Sequence, residues 1–108
     1  MACGYGSVRS TQLVDGGKAE RGRARIISSG CGSCHTIPGV RGARGVVGPN
    51  LTEFGLHSFI AGEAPNTPDY LVRWIMNPQQ IERGTAMPTL GISEPDARDI
   101  AAYLYTLH

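Results

Sequence analysis

Two cysteines, Cys31 and Cys34, stand three residues apart in the stretch "GCGSCHTI", and His35 follows the second directly. A close cysteine pair serves one of three chemistries. In thiol redox the pair cycles with a disulfide, normally at the start of a helix that follows a strand; no strand pattern precedes Cys31. Structural zinc needs further ligands at short spacing, and the remaining candidates, Cys3, His57 and His108, are scattered over the chain. In the third chemistry, C-x-x-C-H bonds two thiols to the vinyl groups of one porphyrin edge, and the histidine ligates the iron. Covalent haem accounts for the most residues. A porphyrin would also add apolar interior to a small chain with 15 glycines, whose own core is limited.

A haem iron bound by His35 takes a second axial ligand that is soft and neutral, or another imidazole. Met1 is terminal. Met76 lies in a helical pattern beside Ile75 and reads as packing. Met87, in "RGTAMPTLG", sits in an irregular segment before a proline, where a methionine has no helical packing role. It is the leading candidate, with His57 its rival.

The elements that position these residues are helical. The 108 residues fit one domain. "GKAERGRARIISS", residues 17–29, has helix formers, with Ala19, Gly22, Ile26 and Ile27 at helical spacing and Gly30 placed to end it. Six glycines fall within residues 38–66, which read as loop. In "NTPDYLVRWIMNP", Asn66 or Thr67 caps a second helix, Pro68 suits its first turn, Pro78 stops it, and Leu71, Trp74 and Ile75 share a face. In "SEPDARDIAAYLYTL", Ser93 and Asp96 form a capping-box-like start, Pro95 lies in the first turn, and Ala97, Ile100, Ala101, Leu104 and Leu107 make the apolar stripe. No strand alternation competes, so the expected fold is all-α with three main helices and long loops. Residues 1–16 read as a tail and 17–108 as the domain. The net charge of +1 is too near neutral to suggest nucleic acid. No apolar run approaches the ~20 residues of a membrane span.

In order, the N-terminal helix, "CGSCH", "GPNL", "YLVRWIMNP", "GTAMP" and a last helix ending "DIAAYLYTL" resemble class I cytochrome c from about residue 17 to 108. The segments "GPNLTEFG", "APNTPDYLVRWIMNPQQI" and "AMPTLGISEPDARDIAAYL" are most similar to the cytochrome c domains fused to subunit II of bacterial haem-copper oxidases. The resemblance implies one haem c joined through Cys31 and Cys34, with His35 and Met87 as the axial pair. It implies that the Pro49 carbonyl receives the His35 ring N–H, that Trp74 lies near the methionine-side face, and that Gly22 and Tyr103 lie near the crossing of the first and last helices. Where the family often carries arginine after "FG", which can pair with a haem propionate, this chain has His57 as the nearby basic candidate.

The implied function is one-electron transfer in a respiratory chain, between a quinol-oxidising complex and a terminal oxidase, with no catalytic residue. Arg41 and Arg44 fall in the loop expected near the haem edge, where they would steer an acidic partner. Two other functions use the same motif: a gas sensor or peroxidase with a displaceable Met87, and the electron port of a larger dehydrogenase. Haem attachment of this kind implies maturation outside the cytoplasm. No charged and apolar leader precedes "ACGYG", so the expectation is that a leader has been removed. Cys3 is left over from the haem motif, and "ACG" resembles the end of a bacterial lipoprotein signal. That resemblance implies a lipid anchor, with Gly4–Gly16 as tether.

Overall fold

A computed structural model describes residues 13–62 and 64–108. Cys3, the expected anchor, lies outside the described residues. Helix α1 spans Ala19–Ser29. Lys18, at its N-cap, makes no side-chain cap; its own N–H donates across the molecule to the Asp99 carboxylate at 2.8 Å. Gly30 ends the helix in the left-handed region (φ 77°), where its N–H reaches the carbonyls of Ile26 and Ile27. Glycine enters that conformation without the steric cost of a Cβ. A 3₁₀ turn, Cys31–Ser33, follows at once.

Helix α2, Pro68–Met76, is capped by Thr67, whose side chain accepts the Tyr70 N–H. Asn66, the other expected cap, is buried and spans two segments instead. It donates to the His57 carbonyl at 2.9 Å and accepts from the Tyr105 hydroxyl at 2.8 Å. The helix stops before Pro78 as expected, with a break at Asn77 (φ −153°, ψ 79°), and Pro78 then opens a short helix α3, Pro78–Ile81. Proline lacks only an N–H that a first helical turn leaves free anyway. Helix α4, Glu94–Leu104, starts at Ser93, which accepts the Asp96 N–H.

Strands β1 (Phe59–Ile60) and β2 (Ala64–Pro65) pair antiparallel, Phe59 opposite Pro65 and Ile60 opposite Ala64. Two residues per strand are too few to alternate, so no sequence pattern marks them. A second difference lies at the start of the chain. Val14, expected in the tail, is buried in the core, Arg98 of α4 donates to the Asp15 carbonyl, and Gly17 N–H donates to Val14 O. Val14 and Asp15 therefore contact the helical part of the molecule.

The all-α expectation holds: three long helices carry the fold, and the sheet is minimal. Helices α1 and α4 cross at Gly22, where a Cβ would overlap the Asp99 carbonyl. Tyr103 lies one turn further along α4, and its hydroxyl donates to the Pro38 carbonyl at 2.6 Å. Ile26, Leu71, Ile75, Ala97, Ile100 and Leu104 join the three helices in one core. Among the described residues no helix is long and apolar enough to cross a membrane.

Candidate functional site

The end of α1 delivers Cys31 and Cys34 in sequence. The 3₁₀ turn is held by Cys34 N–H and His35 N–H, both donating to the Cys31 carbonyl at 3.1 and 3.0 Å. Both thiols are free and half-buried. Burial is the largest influence on Cys31 and pushes its thiol up from the ordinary range, with the neighbouring Cys34 adding to it.

A second segment of chain, residues 43–49, runs along this turn and closes against it. Gly45 N–H donates to the Gly32 carbonyl at 3.0 Å, and Gly48 N–H to the Cys34 carbonyl at 2.7 Å. The approach is as close as backbones permit. A Cβ on Gly32 would stand 2.7 Å from the Ala43 Cβ, and one on Gly45 would stand 2.5 Å from backbone atoms of Ser33 and Cys34. The segment ends by placing the Pro49 carbonyl 2.7 Å from Nδ1 of His35. A carbonyl oxygen only accepts, so Nδ1 carries the proton and Nε2 keeps its lone pair for a ligand.

His35 faces a cleft holding about 530 Å³ of empty space, its open mouth included. Cys31, His35, Trp74 and Met87 all line it. No Asp, Glu, Lys or Arg lies among its walls, which are mostly isoleucine, leucine and phenylalanine. The Met87 N–H donates to the Thr85 hydroxyl at 3.2 Å, a local turn within the segment that carries the thioether into the cleft wall. Met76 lines a different groove, between α2 and α4, with Asp69, Arg73, Glu94 and Arg98. His57 is exposed and outside the cleft wall. Its ring lies 5.5 Å from that of Phe54, which does form part of the wall.

This donor set suits a haem. Two free thiols stand beside an imidazole of fixed tautomer, a neutral sulfur shares the cleft, and the walls match a flat apolar ring. It suits zinc poorly, since among the described residues no three His, Cys, Asp or Glu side chains cluster to hold an ion. The thiol-redox setting is also absent: the pair follows a helix, and no strand precedes it among the described residues.

Sequence reasoning brought Cys31, His35, Trp74 and Met87 to one cleft and Pro49 beside it. It missed the walls given by Leu51, Leu90 and Ile92, which lie in loops, and by Phe54, which opens a single 3₁₀ turn, where no periodicity marks an inward face. It also missed the close approaches at Gly32, Gly45 and Gly48, although "GPNL" carried a signal for Gly48.

Comparison with known proteins agrees with this geometry. The sequence model of the cytochrome c family, described as Cytochrome c, matches residues 19–108. Over 90 residues, 82% of this chain, the protein is 36% identical to cytochrome c oxidase subunit 2 of Alkalihalophilus pseudofirmus. The aligned stretch spans only 25% of that subunit's length.

Proposed function

The chain belongs to the cytochrome c family and carries haem c on the Cys31 and Cys34 thiols, and on that premise we propose that it is a one-electron carrier of a respiratory chain with His35 and Met87 as iron ligands. The observation that carries the reading is the meeting, in one apolar cleft, of an imidazole with Nε2 free and a thioether from a loop 52 residues later in the chain (87 minus 35).

Bound haem supplies a ferric–ferrous couple that exchanges one electron with no bond made or broken in a substrate. The residues of the chain set the conditions. Cys31 and Cys34 tether the ring by thioether bonds. Pro49 fixes the imidazole plane and keeps Nδ1 protonated, which strengthens Nε2 as a donor. Met87 offers a soft neutral sulfur that favours ferrous iron, and the apolar walls disfavour the extra charge of the ferric state, so both raise the potential. With His35 and Met87 both holding the iron, no position on it would be left for a substrate. Trp74 completes the wall on the side of the molecule that carries α2.

The proposed partners are redox proteins of a respiratory chain, a quinol-oxidising complex as donor and a terminal oxidase as acceptor. Their meeting place is the outer face of the cytoplasmic membrane or the periplasm, with a lipid on Cys3 as the proposed tether. A second reading is favoured by one observation, the 25% coverage of the oxidase subunit. It makes the domain the electron-receiving module of a larger oxidoreductase.

Replacing Met87 with Ala tests the ligand set. Covalent haem should remain, the midpoint potential should fall, and the ferrous protein should bind carbon monoxide. The weak ferric charge-transfer band that the family resemblance implies for a methionine ligand should vanish. An unchanged band would sink Met87 as the ligand. Carbon monoxide binding by the unaltered protein would instead favour a sensor or peroxidase.

A further inference from the structure

We infer that Gly48 is a positioning residue for the His35 imidazole: its missing side chain is the space in which the ring holds Nδ1 on Pro49 and presents Nε2 to the iron. The inference rests on His35 as an axial ligand.

A Cβ at position 48 would overlap Cε1 of the His35 ring and stand 2.8 Å from both Nδ1 and Nε2. Non-bonded heavy atoms settle at ~3.5–4.0 Å, so either the backbone or the ring must move. The backbone is held from both sides. Gly48 N–H donates to the Cys34 carbonyl at 2.7 Å, and the next residue, Pro49, accepts from the same imidazole. Three residues earlier, Gly45 is already packed against the Ser33 and Cys34 backbone. Displacement therefore falls on the ring, and turning it takes Nδ1 away from the Pro49 carbonyl. Backbone conformation is not what selects glycine here. Gly48 is not among the glycines with positive φ, so no left-handed backbone demands glycine there and the constraint is the imidazole itself. Gly84 supplies the contrast: it is exposed, has no positive φ, and nothing lies within 4 Å of where its Cβ would be.

The test compares haem-loaded parent, Gly48→Ala and Gly84→Ala. In the ferrous state, NMR follows exchange of the His35 Nδ1 proton with deuterium; in the ferric state, the anisotropy of the EPR signal follows the imidazole plane. Gly48→Ala should exchange that proton about tenfold faster, the effect of losing one net hydrogen bond, and should shift the EPR anisotropy. Gly84→Ala should match the parent in both. The parent should also show a nuclear Overhauser cross-peak between His35 Hε1 and the Gly48 α protons. Gly48→Ala indistinguishable from the parent, or a parent without the cross-peak, would overturn the inference. Should the variant fail to accumulate with haem, the cross-peak decides. His35 ring protons in the parent lacking the strong upfield shift of an iron-bound imidazole would defeat the ligand reading instead, so the two failures are distinct.

Discussion

Asp99 shows how much one side chain does away from the cleft. It is 5% exposed on α4, yet it carries a charge. Burial alone would raise its pKa, but the Arg21 guanidinium (Nε at 3.1 Å) and the Lys18 N–H (2.8 Å) outweigh that and hold it below the usual carboxylate range. It thereby caps the start of α1 from the neighbouring helix, in place of the side-chain cap that Lys18 cannot supply. A carboxylate whose folded pKa is depressed stabilises the fold above its unfolded value, and that contribution is lost as pH falls through the folded pKa. Asp99→Asn keeps an acceptor for Lys18 but loses the charge on Arg21, which is 63% exposed. It should therefore cost about 1–2 kcal/mol at pH 7, at the low end for a charged hydrogen bond because solvent screens the pair. Denaturant midpoints of the two proteins should differ at neutral pH and converge as the pH drops below about 4. A gap that stays constant down to acid pH would show that Asp99 contributes packing and not charge.

At the scale of elements, the crossing of α1 and α4 governs the cleft, because Ile26 of one helix and Ile100 and Leu104 of the other line it. Gly22 is what lets the helices meet: a Cβ would overlap backbone of Asp99 and stand 2.9 Å from Ile100 N. Gly22→Ala should force the helices apart and cost about 2 kcal/mol or more, roughly 10 °C in thermal midpoint for a domain of this size. A midpoint within a degree of the parent would mean that the crossing relaxes freely. The three long helices were legible because each advertises itself locally. Thr67 and Ser93 cap, Pro68 and Pro95 occupy first turns, and Gly30 closes α1. Cys31, Cys34 and His35 were legible because their spacing is chemical. What stayed hidden is set by tertiary contact. Val14 has no period around it and is buried through tertiary packing, next to the Asp15 carbonyl that Arg98 of α4 holds. The segment from Ala43 to Pro49 reads as glycine-rich loop, yet each glycine answers a particular neighbour: Ser33 and Cys34 for Gly45, the His35 ring for Gly48. Leu51 and Phe54 reach the cleft for the same reason, from positions that no helical or strand pattern singles out.

Across the whole molecule, a net charge of +1 conceals an asymmetry. Residues 21–52 contain Arg21, Arg23, Arg25, Arg41 and Arg44 and no Asp or Glu. Arg21 pairs with Asp99 and Arg25 with Asp96, while Arg23 donates to the Gly39 carbonyl. Arg41 and Arg44 are exposed and have no ion pair among the described residues. Directly after them Val46 and Val47 are 88% and 74% exposed, on the same segment that closes over Cys34 and His35. On the proposed function, an apolar pair beside unpaired cations would suit a redox partner with carboxylates around an apolar spot. The two parts should separate experimentally. Charge governs encounter, and exposed charges are screened beyond ~8–10 Å at physiological salt. Arg41→Glu with Arg44→Glu should therefore slow the second-order oxidation of the ferrous protein by oxidase-bearing membranes of the same source and flatten or invert its salt dependence, with the midpoint potential unchanged. Apolar burial is not screened, so Val46→Ser with Val47→Ser should slow the reaction while leaving the salt slope of the parent intact. Stopped-flow rates across a salt series give both slopes. Rates for the arginine variant that equal the parent's at every ionic strength would place docking elsewhere on the surface.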